Sequence, residues 1–263
     1  MKANDKQPEF EIPLVDFSKY RHGGPAEKKQ CVAEIMKGFT TSGFLYLQNT
    51  GLSPNTAYDW SKRFFALPLS EKEKHPNIDR KANRGYSGFG TEKATNINPD
   101  DPESIAKLRE AIPDMKESFE IGSDPGYYPV KPYVNRYPDA LPGFGEAMKV
   151  FFKQCDELHH ELMSAIAEGL GLNKNFFRGE ITQGDHVLRL LHYPAVPRKV
   201  LDEGGAVRIG AHTDFGTVTL LFQDMSGGLQ VQTPDGSYVD IPPIEGAVVI
   251  NAGIFKPKFS FIT

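Results

Sequence analysis

From His186 onward the chain breaks into short strand-like runs: His186–Tyr193, Ala206–Ala211, Thr217–Phe222, Leu229–Gln232, Ser237–Ile241 and Ala247–Asn251. Glycine and proline turns separate them. The pattern therefore predicts an antiparallel barrel or a jelly roll.

Upstream the periodicity changes. Ile12–Val15 reads as a short strand, and apolar residues at Val32, Ile35, Met36 and Phe39 give Pro25 to about Thr41 a helical spacing that Gly43 ends. Gly43–Gln48 and Ser118–Ile121 read as further strands, and Ser53-Pro54 as the cap and first residue of a helix running to about Leu67. Ser70 and Glu73 have capping-box spacing for a further short turn. Gly143 to about Gly171 carries one apolar stripe from Phe144 to Leu170, long enough to buttress a whole sheet. Residues 1–10 read as a disordered lead-in, and Asn83–Lys93 and Asn96–Ser104 as loops. Helices first and strands second predict a jelly-roll core with helical support on one face.

Composition narrows the function classes. A net charge of −4 gives no footprint for nucleic acid or a membrane surface. No apolar run approaches the roughly 18 residues of a membrane span, and the polar start MKANDKQPEFEIP lacks the middle of a signal peptide. Two cysteines, Cys31 and Cys155, are too few for a disulfide framework, so a reducing, cytoplasmic setting is expected. Nothing in the sequence fixes an oligomeric state.

The chemistry concentrates in Arg208–Asp224, RIGAHTDFGTVTLLFQD. In a strand, residues two apart share a face, so His212 and Asp214 are expected side by side, with Thr213 turned away. An imidazole and a carboxylate so placed are two of the three ligands of a 2-His-1-carboxylate iron site. The triplet alone is weak, because a histidine bonded to a neighbouring carboxylate produces it as well. Glu157 and His160 repeat half of a di-iron motif, but no second copy exists, and with His159 and Glu161 they read as a solvated helix flank.

HTDFGTVTLLFQD, followed by GGLQVQTPDGSYVDIPPIEGAVVINAG, resembles the core of the iron(II)- and 2-oxoglutarate-dependent dioxygenases, in their isopenicillin N synthase-like branch. IPLVDF, GFLYLQNTGLS, FFALPLSEKEKH, NRGYSGFG, KESFEIG and LRLLHYP fall in that family's order, so the resemblance covers nearly the whole chain. It implies an α+β chain with a mainly β core, a double-stranded β-helix (jelly roll) incomplete at its C-terminus, with N-terminal and central supporting helices. The implied division is 1–142 for the N-terminal helical and strand region, 143–185 for the buttressing helix and linker, 186–253 for the partial core, and 254–263 for an unrelated tail. It implies Fe(II) on His212 and Asp214, with 2-oxoglutarate as co-substrate touched by Tyr193, and dioxygen as oxidant. A small organic substrate would lie near Arg84 and Tyr86, with Leu220 and Leu229 as apolar barrel wall. Oxidative decarboxylation would then yield succinate and hydroxylate, desaturate or otherwise oxidise that substrate.

Departures from the family pattern carry their own expectation. No histidine follows His212, no Arg-x-Ser motif supplies a bidentate arginine for the distal 2-oxoglutarate carboxylate, and Leu191 stands where an asparagine is common. GIFKPKFSFIT, from Gly253 on, resembles nothing in the family. The expectation is a shortened product that binds Fe(II) poorly and turns over little. The alternatives are a 2-oxoglutarate-independent oxidase of the same fold, or a non-catalytic relative with a binding or regulatory role.

Overall fold

The computed structural model describes residues 11–77, 83–92, 114–124, 133–182, 184–202, 207–210, 212, 214, 216–233 and 235–253. The expected lead-in, the loop Asn96–Ser104, Lys93, Ala206, Ala211 and the tail beyond Gly253 lie outside them. The described residues form two compact units that are discontinuous in sequence: one drawn from Met1–Ser53, Cys155–Gly179 and Asp214–Thr263, the other from Pro54–Gln154 and Glu180–Thr213. The sequence division into consecutive blocks does not follow these units, because strands distant along the chain pair within one sheet. No described helix is long and apolar enough to cross a membrane.

The first unit is built on a four-stranded sheet. Strands β1 (Leu14–Asp16), β2 (Phe44–Gln48), β6 (Val218–Leu221) and β9 (Ala247–Ala252) lie in the order β1-β2-β9-β6. Strand β1 runs parallel to β2, and β9 is antiparallel to both β2 and β6, with Ile250 opposite Leu45 and Leu220. Alternation divides this sheet into two faces. On one, Val15, Leu45, Leu47, Val248 and Ile250 are buried, and helix α2 (Pro25–Thr41) packs on β1 and β2 with Cys31, Val32, Ile35 and Phe39 buried. A Cβ on Gly38 would sit 3.0 Å from Leu45 Cβ, so glycine lets helix and strand close together.

Helix α2 begins as expected, with proline at its first position and Glu27 Oε2 accepting the Gly24 N–H at 2.8 Å. It ends at Gly43, whose φ of +77° costs glycine little. The short helix α1 (Ser18–His22) precedes it.

The opposite face carries Tyr46 and Val249, which form a buried cluster with Val231 and Ile241; Phe44, Leu221, Leu229 and Ala247 pack around it. Val231 belongs to the hairpin of β7 (Gln230–Gln232) and β8 (Tyr238–Asp240), and Tyr46 donates its hydroxyl to Pro242 O at 2.7 Å. Leu220 and Leu229 were expected on one apolar wall, but parity separates them. Leu220 shares the helix-covered face of Ile250, and Leu221 takes its place beside Leu229.

In the second unit, β3 (Gly85–Ser87), β4 (Glu117–Gly122) and β5 (Val187–His192) form an antiparallel sheet with β4 in the middle. Phe64 of helix α3 (Asn55–Phe65) meets the rings of Phe119 and Phe144 at centroid distances of 4.5 Å and 5.6 Å. Phe144 opens helix α5 (Phe144–Gly169), close to the span its apolar stripe predicts. Helix α4 (Leu69–Lys72) corrects the capping-box expectation: Pro68 caps it and Ser70 lies inside, because the helix begins two residues earlier than the Ser-x-x-Glu spacing requires. Helix α6 (Arg198–Asp202) follows β5.

Phe144 is fully buried among Trp60, Phe64, Phe119 and Tyr137. Phe144→Ala is expected to lower stability by about 3–5 kcal/mol. The check is the urea midpoint, which should fall with an unchanged slope.

Candidate functional site

Asp214 lies just ahead of β6, partly buried. Its Oδ2 accepts the Thr219 hydroxyl at 2.5 Å and the Asn251 amide at 2.8 Å. Gly253 donates its N–H to Thr217 O at 3.1 Å, and its backbone comes so near that a Cβ there would overlap the carbonyl oxygens of Asp214 and Gly216. This close approach needs glycine at 253.

His212 is exposed, and its Nδ1 lies 2.8 Å from Gly210 O. A carbonyl only accepts, so Nδ1 carries a proton in this contact. Metal-ligating histidines commonly donate their other ring N–H to a backbone carbonyl in this way. With a carboxylate two residues on, the donors are nitrogen and oxygen, which suits Fe(II).

The route to this pair differs from the strand argument. Among the described residues the run 206–211 forms no strand. Val207 makes an isolated parallel bridge with Asp114, and Arg208 and Ile209 bend. The physical reason is Asp114: its carboxylate takes the Gly210 N–H at 2.9 Å, while Met115 N–H reaches Val207 O at 2.7 Å. A side chain thus satisfies a donor that a ladder would otherwise use. Residues 212 and 214 both lie outside any strand, so strand alternation does not orient them.

Tyr193 follows β5 with 40% of its surface exposed. Partial burial, reinforced by the Asp114 charge, pushes its phenol up to about 12, so it is a neutral hydrogen-bond donor at physiological pH. Tyr86 is placed differently from a pocket-mouth residue. It is 5% exposed and donates its hydroxyl to Glu117 Oε2 at 2.5 Å. Arg84 is half-buried against Gly122, donating to Asn83 O at 3.0 Å, and leaves no space there for a Cβ. Arg208 donates to Pro194 O. On α5, Glu157 is exposed as expected, whereas Glu161 pairs with Arg21 at 2.5 Å.

The strand expected over Ser118–Ile121 forms as part of β4, but the spacing gave no hint of what that strand buries. Glu117 accepts Lys72 Nζ at 2.7 Å and faces His192 Nδ1 at 2.8 Å, in addition to Tyr86. The His192 ring stacks on Phe65. On the other face of β4, Glu120 accepts Ser118 Oγ at 2.9 Å, Asn77 Nδ2 at 2.8 Å and Arg189 Nε at 3.0 Å, while Lys116 pairs with Glu92. Burial pushes the Glu120 carboxyl up despite Arg189. Burial also acts to raise Glu117, but the bonds from Lys72, Tyr86 and His192 outweigh it and hold Glu117 below the usual carboxylate range. No sequence signal marks this burial: Glu117, Ser118 and Glu120 make the strand read as partly solvated, yet all its positions are buried.

Residues 184–256 match the 2OG-Fe(II) oxygenase superfamily, and residues 12–142 match the N-terminal region described as non-haem dioxygenase in morphine synthesis. The chain is 39% identical over 252 residues to the 2-oxoglutarate-dependent dioxygenase frbA of Dothideomycetidae sp. (strain 11243), covering 92% of this chain and 72% of that protein. It is 35% identical to the proline hydroxylase buaE of Petromyces alliaceus, covering 93% of this chain and 75% of the relative. Among solved structures it is similar to a full-length Neurospora crassa protein in complex with alpha-KG and thymine, with a TM-score of 0.78 and 45% identity, covering 92% of this chain and 73% of that one.

The low-lying Glu117 ionisation makes a pH prediction. Its bonds stabilise the fold fully above the unfolded carboxylate value of about 4.3 and are lost as pH falls through the lower folded value. Glu117→Gln should flatten this acid limb of the thermal-melting profile. It should also cost about 3–5 kcal/mol at neutral pH, because Lys72 is left buried without its counter-charge.

Proposed function

This chain belongs to the 2-oxoglutarate- and Fe(II)-dependent oxygenases, and on that premise we propose that His212 and Asp214 hold the iron while Tyr193 donates its hydroxyl to a carboxylate of 2-oxoglutarate. Members of this family share a jelly-roll fold and couple decarboxylation of 2-oxoglutarate and reduction of dioxygen to oxidation of an organic substrate. The observation that supports the ligand assignment is the 2.8 Å contact between His212 Nδ1 and Gly210 O, which orients the ring from its far side.

Iron, when bound, supplies the activation of dioxygen; the chain's own residues orient and hold. His212 contributes a nitrogen lone pair fixed by Gly210, Asp214 contributes a carboxylate oxygen, and Tyr193 keeps its proton and donates it in a hydrogen bond. The substrate is a small polar molecule. The similar Neurospora crassa protein was solved with thymine and with 5-formyluracil, which makes pyrimidine bases the first compounds to try, with free proline as the comparison from the buaE relative. Arg84 stands as a substrate-contact proposal; the Tyr86 hydroxyl is committed to Glu117.

The test is single-turnover succinate formation with Fe(II), 2-oxoglutarate, dioxygen and each compound. His212→Ala and Asp214→Ala are expected to drop to the metal-free background. Tyr193→Phe is expected to need about tenfold more 2-oxoglutarate for the same yield. Equal yields from wild type and both ligand variants would refute the assignment.

A further inference from the structure

We propose that Thr219 and Asn251 are positioning residues for the carboxylate of Asp214: together they hold its Oδ2 and fix the orientation in which the carboxylate would meet a metal. The inference rests on Asp214 being an iron ligand and goes beyond it by naming the two side chains that orient that carboxylate.

The geometry is a cross-strand pair. Thr219 on β6 stands directly opposite Asn251 on β9. By alternation both lie on the face that carries Leu221, Val249 and Ala247, where the rest of the row packs into the apolar cluster with Val231 and Ile241. Polar side chains opposite each other on such a face need a partner. That partner is a single atom, Asp214 Oδ2, at 2.5 Å from the hydroxyl and 2.8 Å from the amide. Two donors fill the two lone-pair positions of that oxygen. Because the donors come from separate strands, the carboxylate cannot rotate about its own axis without losing both bonds. A register slip of one residue between β6 and β9 would break the pair.

The close packing of Gly253 on the Asp214 and Gly216 carbonyls fixes the backbone beneath the carboxylate, so the side chain has little other freedom. Orienting partners of this kind are worth about 10–100-fold in metal affinity when removed.

The test is Mn(II) binding to the 263-residue chain, followed by water-proton relaxation enhancement, which reads weak as well as tight binding, with thermal melting of each metal-free variant alongside. Thr219→Val keeps size and branching and removes only the hydroxyl. It and Asn251→Ala are each expected to weaken Mn(II) binding about 10–100-fold, and Thr219→Ser is expected to restore it. Metal affinity in Thr219→Val and Asn251→Ala equal to wild type, with Asp214→Ala abolishing binding, would overturn the positioning role alone. Wild-type binding that Asp214→Ala leaves unchanged, or no wild-type binding at all, would overturn the ligand assignment and this inference with it.

Discussion

The placement of β9 between β2 and β6 is the constraint from which the first unit follows. Ile250 sits opposite Leu45 on one side and Leu220 on the other, and all three share the face that includes the residues beneath α2. Because side chains alternate, the same register turns Val249 toward the hairpin cluster and sets Asn251 opposite Thr219. The packing that stabilises the sheet and the polar pair that holds Asp214 are therefore two consequences of a single pairing. Burial of Leu45, Val248 and Ile250 makes any slipped register expensive, since it would carry these residues to the wrong face.

The second unit solves a different problem. Its central strand β4 is buried at every position yet carries Glu117, Ser118 and Glu120. Buried charges are tolerated only when paired and hydrogen-bonded. Lys72, Tyr86 and His192 converge on Glu117, while Arg189, Ser118 and Asn77 converge on Glu120. Such networks contribute more to a unique arrangement than to net stability, because desolvation offsets much of the attraction. Here they tie α4, β3 and β5 to one strand, and β5 leads directly into Tyr193.

Much of the framework was legible because it rests on periodicity. The stripe from Phe144, the proline and glycine bounding α2, and the short runs from His186 on other than 206–211 each name an element that forms within a residue or two. What periodicity could not reach was decided by side chains acting on backbone. Asp114 takes the Gly210 N–H from far along the chain and replaces a strand with a bend. The roles of Tyr86, Lys72 and Glu117 depend on which residues cross the sheet to meet them, which spacing along a single segment does not encode. His212 and Asp214 were recognisable as donor types, but their orienting partners, Gly210 in one case and Thr219 with Asn251 in the other, come from the fold.

The iron ligands are the central question for this chain. The most direct measurement is an anomalous difference map from crystals soaked anaerobically with Fe(II) and 2-oxoglutarate. The expected result is one iron peak at bonding distance from the His212 imidazole and the Asp214 carboxylate, with Thr219 and Asn251 still on Oδ2. Iron bound at other side chains, or no iron peak, would contradict it.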